Sequence, residues 1–289
     1  MGVTGVAPLP RIGQDDNPGY QQHMRAKLIP KCACATTSMN LTGNTILITG
    51  GTSGIGRALA EAFHKLDNQV IISGRRQALL DVITAANPGM RGLQVDVDDA
   101  EAVDVFAAHV RSEFPQLNVL INNAGIFKAE DLCADSSDIS IARSQIQTNV
   151  ISVLQLTAAL LPVLKKQPCS TVIATSSGLA FVPRAAYPSY CAGKAFIHSW
   201  LQSLRFQLRQ TSVEVLEFAP PFVQTEIGGP EQLTDPRAMP LAEYIAEVMR
   251  LLENPHPPRG EIIVGRTEGL RWAEKRDDYD KTFEALNAV

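Results

Sequence analysis

Neither sign of charge dominates this sequence: 26 lysines and arginines stand against 30 aspartates and glutamates, a formal net charge of -4. Such a chain offers no basic footprint to a polyanion, so nucleic acid is not expected as a partner. Long apolar runs are missing as well. The longest, Leu154 to Leu164, is broken by Gln155 and Thr157 and falls well short of the roughly 20 residues that span a bilayer. No membrane segment is expected. Cysteine is scarce, odd in number and scattered: Cys32, Cys34, Cys133, Cys169 and Cys191. No second cysteine pair or histidine cluster sits beside Cys32 and Cys34 to complete a zinc site. The expectation is therefore free thiols in a reducing, cytoplasmic setting, with no metal. What is present is 289 residues with a hydrophobic fraction of 45 %, enough for a sizeable core.

Residues 1–38 differ from the rest. Gly2, Gly5, Pro8, Pro10, Gly13, Pro18, Gly19 and Pro30 punctuate them, and no stretch keeps a period of two or 3.6. This reads as a mobile extension. Arg11, Arg25, Lys27 and Lys31 hint at organelle targeting, but Asp15 and Asp16 intrude and no apolar core for a secretory signal is present. From residue 39 to 289 one catalytic domain is expected, because β-rich runs alternate with helical patterns. Strands are read at Thr45–Thr49, Gln69–Ser73, Arg91–Val95, Val119–Asn122, Thr171–Thr175, Val213–Ala219 and Glu261–Val264. Helices fall between them at Ile55–Leu66, Gln77–Ala86, Ala100–Phe114, Ala142–Lys166, Ser189–Gln210 and Leu241–Glu253, and a polar tail follows. That order predicts an α/β fold, a doubly wound Rossmann-like parallel sheet with helices on both faces.

Between the first strand and first helix lies Thr49-Gly50-Gly51-Thr52-Ser53-Gly54-Ile55-Gly56. Gly50 suits a sharp turn, Gly54 a close approach of backbone to a pyrophosphate, and Gly56 tight packing of the helix, whose free N–H groups and dipole face the phosphates. Thr52, Ser53 and Ile55 complete this cofactor-binding loop. Glycine-rich turns are common, and it is the position between strand and helix that makes this one informative. The second strand runs into Ser73-Gly74-Arg75-Arg76, with no carboxylate for a ribose 2'-hydroxyl. Arg75 there favours a 2'-phosphate, hence NADP(H), with NAD(H) still possible; the bland alternative is an arginine pair facing solvent.

Tyr190 and Lys194 in Tyr190-Cys191-Ala192-Gly193-Lys194 stand one helical turn apart on one face. Tyrosine titrates near 10, so acid-base work near neutrality needs about 3 pH units of stabilisation of the phenolate. Lys194, with the positive ring of an oxidised nicotinamide, is placed to supply it. Alone, this spacing is equally an amphipathic surface pair.

The Gly-x3-Gly-x-Gly spacing, Asn122-Asn123-Ala124-Gly125 after the fourth strand and the Tyr190/Lys194 pair together resemble the short-chain dehydrogenase/reductase family. The resemblance implies that Asp96 and Val97 contact the adenine, and that Asn123, Ala124 and Gly125 line the cofactor cleft. It implies a catalytic set of Asn149, Ser177, Tyr190 and Lys194. In that set Ser177 binds the substrate oxygen, Tyr190 is the acid/base, and Asn149 holds a water in a relay to the lysine. Ser176 is the nearest rival to Ser177. Pro220, Val223 and Thr225 fall in the loop over the nicotinamide, in Pro220-Pro221-Phe222-Val223-Gln224-Thr225. Pro221 stands where the family has glycine, and Gly193 where it has Ser or Thr. These departures, with Leu270 to Lys275 and Phe283-x2-Leu286-Asn287 near the C-terminus, resemble the family's DltE-like branch.

The expected function is thus an NADP(H)-dependent oxidoreductase interconverting a carbonyl and an alcohol. The competing class is a catalytically silent dinucleotide-binding sensor or scaffold of the same fold. An epimerase of the extended branch is a further alternative, for whose larger C-terminal substrate region the chain has no room. The substrate pocket is expected from Phe127, the segment Leu179 to Tyr187 and a lid from Phe222 to Pro240. It is largely apolar through Phe181, Val182, Tyr187, Phe222 and Ile227. A homodimer or homotetramer is expected through the helices Ala142–Lys166 and Ser189–Gln210, with Leu156, Leu160, Leu164, Trp200, Leu204 and Leu208 as apolar surface.

Overall fold

The structure is a computed structural model that describes residues 39–134, 138–253 and 257–288; the expected extension, residues 1–38, lies outside them. Seven parallel strands, β1 (Thr45–Thr49), β2 (Gln69–Gly74), β3 (Arg91–Gln94), β4 (Val119–Asn122), β5 (Ser170–Thr175), β6 (Val213–Phe218) and β7 (Glu261–Ile262), form one sheet. Its order is β3-β2-β1-β4-β5-β6-β7. The chain reverses its direction of winding between β1 and β4. Ligands of open α/β sheets bind in the crevice at the carboxyl ends of the strands at such a switch point.

Alternation along the strands builds two cores. Ile46 and Ile48 of β1 face one side with α1 (Gly54–His64), α2 (Gln77–Ala86) and α7 (Leu241–Glu253), where Leu59, Phe63, Leu80, Tyr244 and Val248 are buried. Leu47 faces the other side with α3 (Ala100–Glu113), α5 (Ser152–Leu164) and α6 (Pro188–Leu208), where Phe106, Leu160, Leu201 and Leu208 are buried. Strands β1, β2, β4 and β5 are thereby sealed on both faces, which is why β1, β2 and β4 read as near-continuous apolar runs and not as alternation, whereas the edge strand β3 is only half-buried.

The expected helix Ala142–Lys166 is one continuous helix over Ser140–Leu164, but not a uniform one. After α4 (Ser140–Ile146) it passes through a π-helical turn, Gln147–Ile151, before α5. It is long and apolar enough, by length and composition, to cross a bilayer, a point the shorter run Leu154–Leu164 did not disclose. Half of it is buried, with Leu156, Leu160 and Leu164 in the core. Those three leucines, with Leu204 and Leu208, therefore do not supply the surface expected for an oligomer. The exposed apolar residues on these helices are Ile146, Ile151, Phe196 and Phe206. The tail expected to be merely polar folds into α8 (Gly265–Arg271) and α9 (Tyr279–Asn287). Cys133 and Cys191 are free thiols, as expected, whereas Cys169 is disulfide-bonded.

One core side chain carries a misfit. Tyr244 is fully buried, and its hydroxyl meets no hydrogen-bond partner among the described residues. A buried hydroxyl left unpaired costs about 1–3 kcal/mol. Tyr244→Phe is expected to raise the melting temperature by about 2–4 °C per kcal/mol recovered. Calorimetry checks it, and a lower melting temperature would show that the hydroxyl is satisfied.

Candidate active site

Most of the residues singled out in the sequence gather at the carboxyl edge of the sheet around β1, β4 and β5. Gly50 and Gly54 have φ of 67° and 52°, the left-handed region that glycine enters without strain. At Gly56 a side chain would drive into Gly50 O and Asn123 Nδ2, so only glycine lets α1 start this close to the neighbouring loop. Helix α1 begins at Gly54 with Ser53 as N-cap; no side chain caps it and its first turn holds no acidic residue. Its N-terminal N–H groups and dipole are left to an anion, which fits a pyrophosphate. A β-carbon at Gly54 would meet only the side chain of Thr225, so the loop after β6 already borders the glycine turn.

The Asn122 to Gly125 turn is stitched to the end of β1. The N–H groups of Asn123 and Ala124 both donate to Thr49 Oγ1, at 3.0 and 3.1 Å, and Asn123 Nδ2 donates to Thr49 O at 3.2 Å. Asp96 is exposed and accepts from the Asp98 N–H, while Val97 packs on the core beneath α3. Arg75 and Arg76 are exposed at the end of β2 and make no salt bridge to any described residue. Pro220 O accepts from the Gly178 N–H at 2.8 Å, tying the loop after β6 to the segment just after Ser177. Val223 and Thr225 are buried, and Gln232 Nε2 donates to Val223 O and to Thr225 Oγ1. The Phe222–Pro240 segment is thus held in place. Met239 N–H donates to Phe222 O, and Gln224 N–H to Met239 O.

Asn149, Ser177, Tyr190 and Lys194 are all buried and close together. Asn149 sits in the π-helical turn, where its side chain accepts from the Ile126 N–H at 2.8 Å and donates to Ile126 O at 2.9 Å. Such turns re-aim a side chain from an otherwise regular helix and often mark functional positions. Ser177 stands by the Tyr190 phenol and favours its ionised form, whereas Ser176 turns away to Glu217 at 2.5 Å. The Lys194 ammonium donates to Thr175 O at 2.7 Å and stands 5.6 Å from the Tyr190 ring centre.

The electrostatics differ from expectation at one point. The protein alone does not depress the Tyr190 phenol: burial pushes it up to about 12, and Ser177 only partly offsets this. Burial also brings Lys194 down to about 8, with Glu217 pulling the other way. Desolvation penalises whichever form is charged, so it favours the neutral phenol and the neutral amine alike.

Phe127 lies against the site, stacked on Tyr187 with ring centres 3.9 Å apart and edge-on to Tyr190 at 4.6 Å. Beyond this aromatic layer the segments 129–133 and 185–188 border a cleft of about 630 Å³. Val182, expected as a pocket wall, is core at 0 % exposure, and Phe181 packs on His198 and Arg271. Cys191 is a packing residue: burial pushes its thiol up, and its sulfur accepts from the Arg184 N–H.

Two positioning residues escaped the sequence reading. Glu130 accepts from the N–H and hydroxyl of Ser189 at 3.0 and 2.8 Å, supplying the first turn of α6 with a carboxylate just before Tyr190. Asn287 of α9 accepts from the Ala185 N–H at 2.6 Å and donates to Pro183 O at 3.2 Å, clipping the substrate loop. No local pattern announces either contact, since each joins segments far apart in the chain.

A model of the short chain dehydrogenase family matches residues 44–235. The uncharacterized oxidoreductase DltE of Bacillus subtilis (strain 168) is 41 % identical over 251 residues, covering 86 % of this chain and 98 % of that one. A short chain dehydrogenase from Burkholderia cenocepacia J2315, solved in complex with NADP, superposes with a TM-score of 0.73 at 22 % identity, over 87 % of this chain and 100 % of that one. The 3-ketoacyl-(acyl-carrier-protein) reductase from Brucella melitensis, solved with NADH, gives 0.70 at 23 % identity, over 79 % and 100 %. The two solved structures share the fold. An identity of 41 % carried across nearly the whole of DltE does more: the chain belongs to the short chain dehydrogenase family, on its DltE-like side, and is an oxidoreductase.

Proposed function

We propose that the chain reduces a carbonyl, or oxidises the matching alcohol, with NADP(H), Tyr190 serving as acid and base. One observation carries this reading: Tyr190, Ser177, Lys194 and Asn149 converge in a buried site beside an uncapped helix N-terminus that suits a pyrophosphate. A dinucleotide held by Gly50 to Gly56, Asp96, Val97, Asn123 to Gly125, Pro220, Val223 and Thr225 would supply or take up the hydride. Solved relatives of this fold carry NADP or NADH. Ser177, standing by the phenol, places the substrate oxygen between two hydroxyl groups. With its phenol pushed up to about 12, Tyr190 holds a proton ready to donate to that oxygen throughout the neutral range. Lys194 stands behind as a cation whose charge stabilises the phenolate left after donation. Asn149, fixed to the Ile126 backbone, holds the adjoining turn rigid.

Arg75 favours the phosphorylated cofactor. It is exposed, and among the described residues it has no carboxylate partner to forgo, so its guanidinium is available to a 2'-phosphate. The surface residues Ile146, Ile151, Phe196 and Phe206 leave apolar area on α4 to α6 that a second copy would cover, which favours a homo-oligomer. The substrate is a small carbonyl compound with an apolar body that lies against Phe127 and Tyr187.

Three outcomes are expected. Tyr190→Phe lowers kcat for reduction of a carbonyl panel by about a hundredfold or more while the Kd for NADPH is unchanged; turnover near wild type would sink the assignment. Arg75→Ala raises the KM for NADPH about tenfold and leaves that for NADH alone, and equal effects on both would remove Arg75 from the phosphate site. Lys194 is an ammonium below about 8 and loses its proton as the pH rises through that value. The reduction rate is therefore expected to be level below about 8 and to fall above it, since Tyr190 keeps its proton throughout. A rate that climbs through pH 8 to 10 would contradict this.

A further inference from the structure

Strand β6 carries a carboxylate where the fold has no evident use for one. Glu217 is 0 % exposed, and its register neighbours are Ala174 on β5 and Glu261 on β7. Alternation puts it on the same face as Val213 and Val215, which pack in the core beneath α6. Two carboxylates side by side in a buried strand pair repel each other, and isolated burial of either would be prohibitive. Their surroundings are arranged to hold them.

Glu217 accepts from the Ser176 hydroxyl at 2.5 Å and pairs with His198 Nδ1 at 2.8 Å. A carboxylate only accepts, so that imidazole nitrogen carries the proton. Glu261 is taken by Arg271 of α8 in a two-pronged pair, at 2.6 and 3.0 Å. Arg205, anchored on Val215 O, lies in the field of Glu217, Glu261 and Glu214. Positive charge among these acids comes from the two arginines and needs no metal ion. The remaining cation in the field of Glu217 is Lys194. Tyr190, Lys194, His198 and Gln202 follow one another at four-residue steps along α6, one stripe of the helix laid over this carboxylate, and Gln202 closes the stripe by bonding His198 Nε2 at 2.9 Å.

We propose that Glu217 is a positioning residue for the reaction: a buried counter-charge, held by Ser176 and His198, that keeps Lys194 an ammonium behind the site. Without it the amine would face only burial and the carbonyl of Thr175. Burial alone drives a lysine towards its neutral form, and a neutral Lys194 cannot stabilise a phenolate. The consequence for turnover rests on the reaction assigned above; the counter-charge itself does not.

The test is the titration of Lys194 in the full-length protein, followed by trace labelling with acetic anhydride across pH and peptide mass spectrometry, which needs neither substrate nor cofactor. Wild type is expected to titrate near about 8. Glu217→Gln keeps the shape and an acceptor for Ser176 but loses the charge, and is expected to lower the Lys194 midpoint by about one pH unit. Glu217→Asp restores the charge and should bring the midpoint back. The double variant Glu217→Leu, His198→Leu removes the charge by another route, replacing a buried pair with apolar volume, a change that folded proteins often tolerate. It should shift the midpoint the same way. In NADPH-driven reduction, the alkaline fall in kcat should move with the midpoint in each variant. A midpoint that stays put in either folded charge-free variant overturns the proposal. A midpoint that moves while the pH profile of kcat does not would keep the counter-charge, overturn its role in turnover and point to a fault in the reaction assigned to Lys194.

Discussion

A lysine ammonium has been taken out of water, and much of the site follows from keeping it there. Bringing Lys194 from an ordinary value of 10.5 down to about 8 corresponds to roughly 3 kcal/mol of lost preference for the charged form. The structure answers with a carbonyl from the end of β5 and with the Glu217 carboxylate, whose charge acts on the amine, while the Asn122 to Gly125 turn lies close by. Each lies on a different element. The sheet edge, the Asn122 to Gly125 turn, the π-helical turn and β6 must all be in register for the amine to sit where it does, so the geometry of the buried cluster is a property of the whole carboxyl edge.

The same burial acts on Tyr190 with the opposite consequence. Desolvation makes its phenol a poorer acid and favours the neutral form. A phenolate formed there would stand beside a cation in a medium of low polarity, where attraction is strongest. Ser177 lowers the cost from the other side. The two shifts, up for Tyr190 and down for Lys194, therefore describe one desolvated pair seen before any charge has moved.

Patterns local in sequence were legible. The glycine turn, the succession of strands and helices along the chain and the four-residue step from Tyr190 to Lys194 depend on neighbours within a turn or two, and they stand where the sequence pattern put them. What was not legible depends on distant partners. Nothing around Asn149 distinguishes a π-helical turn from a regular one, because the extra residue is accommodated by Ile126, 23 positions away. Ser176 and Ser177 were rivals on paper, and only the adjacent strand, carrying Glu217, separates them. The polarity of the final segment hid α8 and α9, since Thr267 is the one buried residue of α8 and α9 has none. The glycines and prolines of 222–240 suggested a mobile lid, but the buried Gln232 carboxamide ties that segment down from within. One trace of the buried network was visible all the same: Val-Glu-Val-Leu-Glu-Phe is an odd composition for a strand covered on both faces, and a carboxylate in such a place asks for a partner.

The two departures from the family pattern can be judged by the same spatial reasoning. Gly193 lies against the π-helical turn, where an added β-carbon would stand 3.4 Å from Val150 Cγ2, an ordinary contact. A side chain is therefore tolerated there, and glycine's cost of about 1 kcal/mol in helix propensity is not forced by crowding. Pro221 removes one N–H from the loop after β6, yet the loop is held from both ends by bonds that do not involve that group. Gly178 donates to Pro220 O on one side, and the Phe222 carbonyl accepts from Met239 on the other. A proline between two anchored carbonyls restricts the chain without unpairing it. Asn287 clips residues 183–185 in the same way, so Tyr187, stacked on Phe127, follows a stretch of backbone that is also tied down.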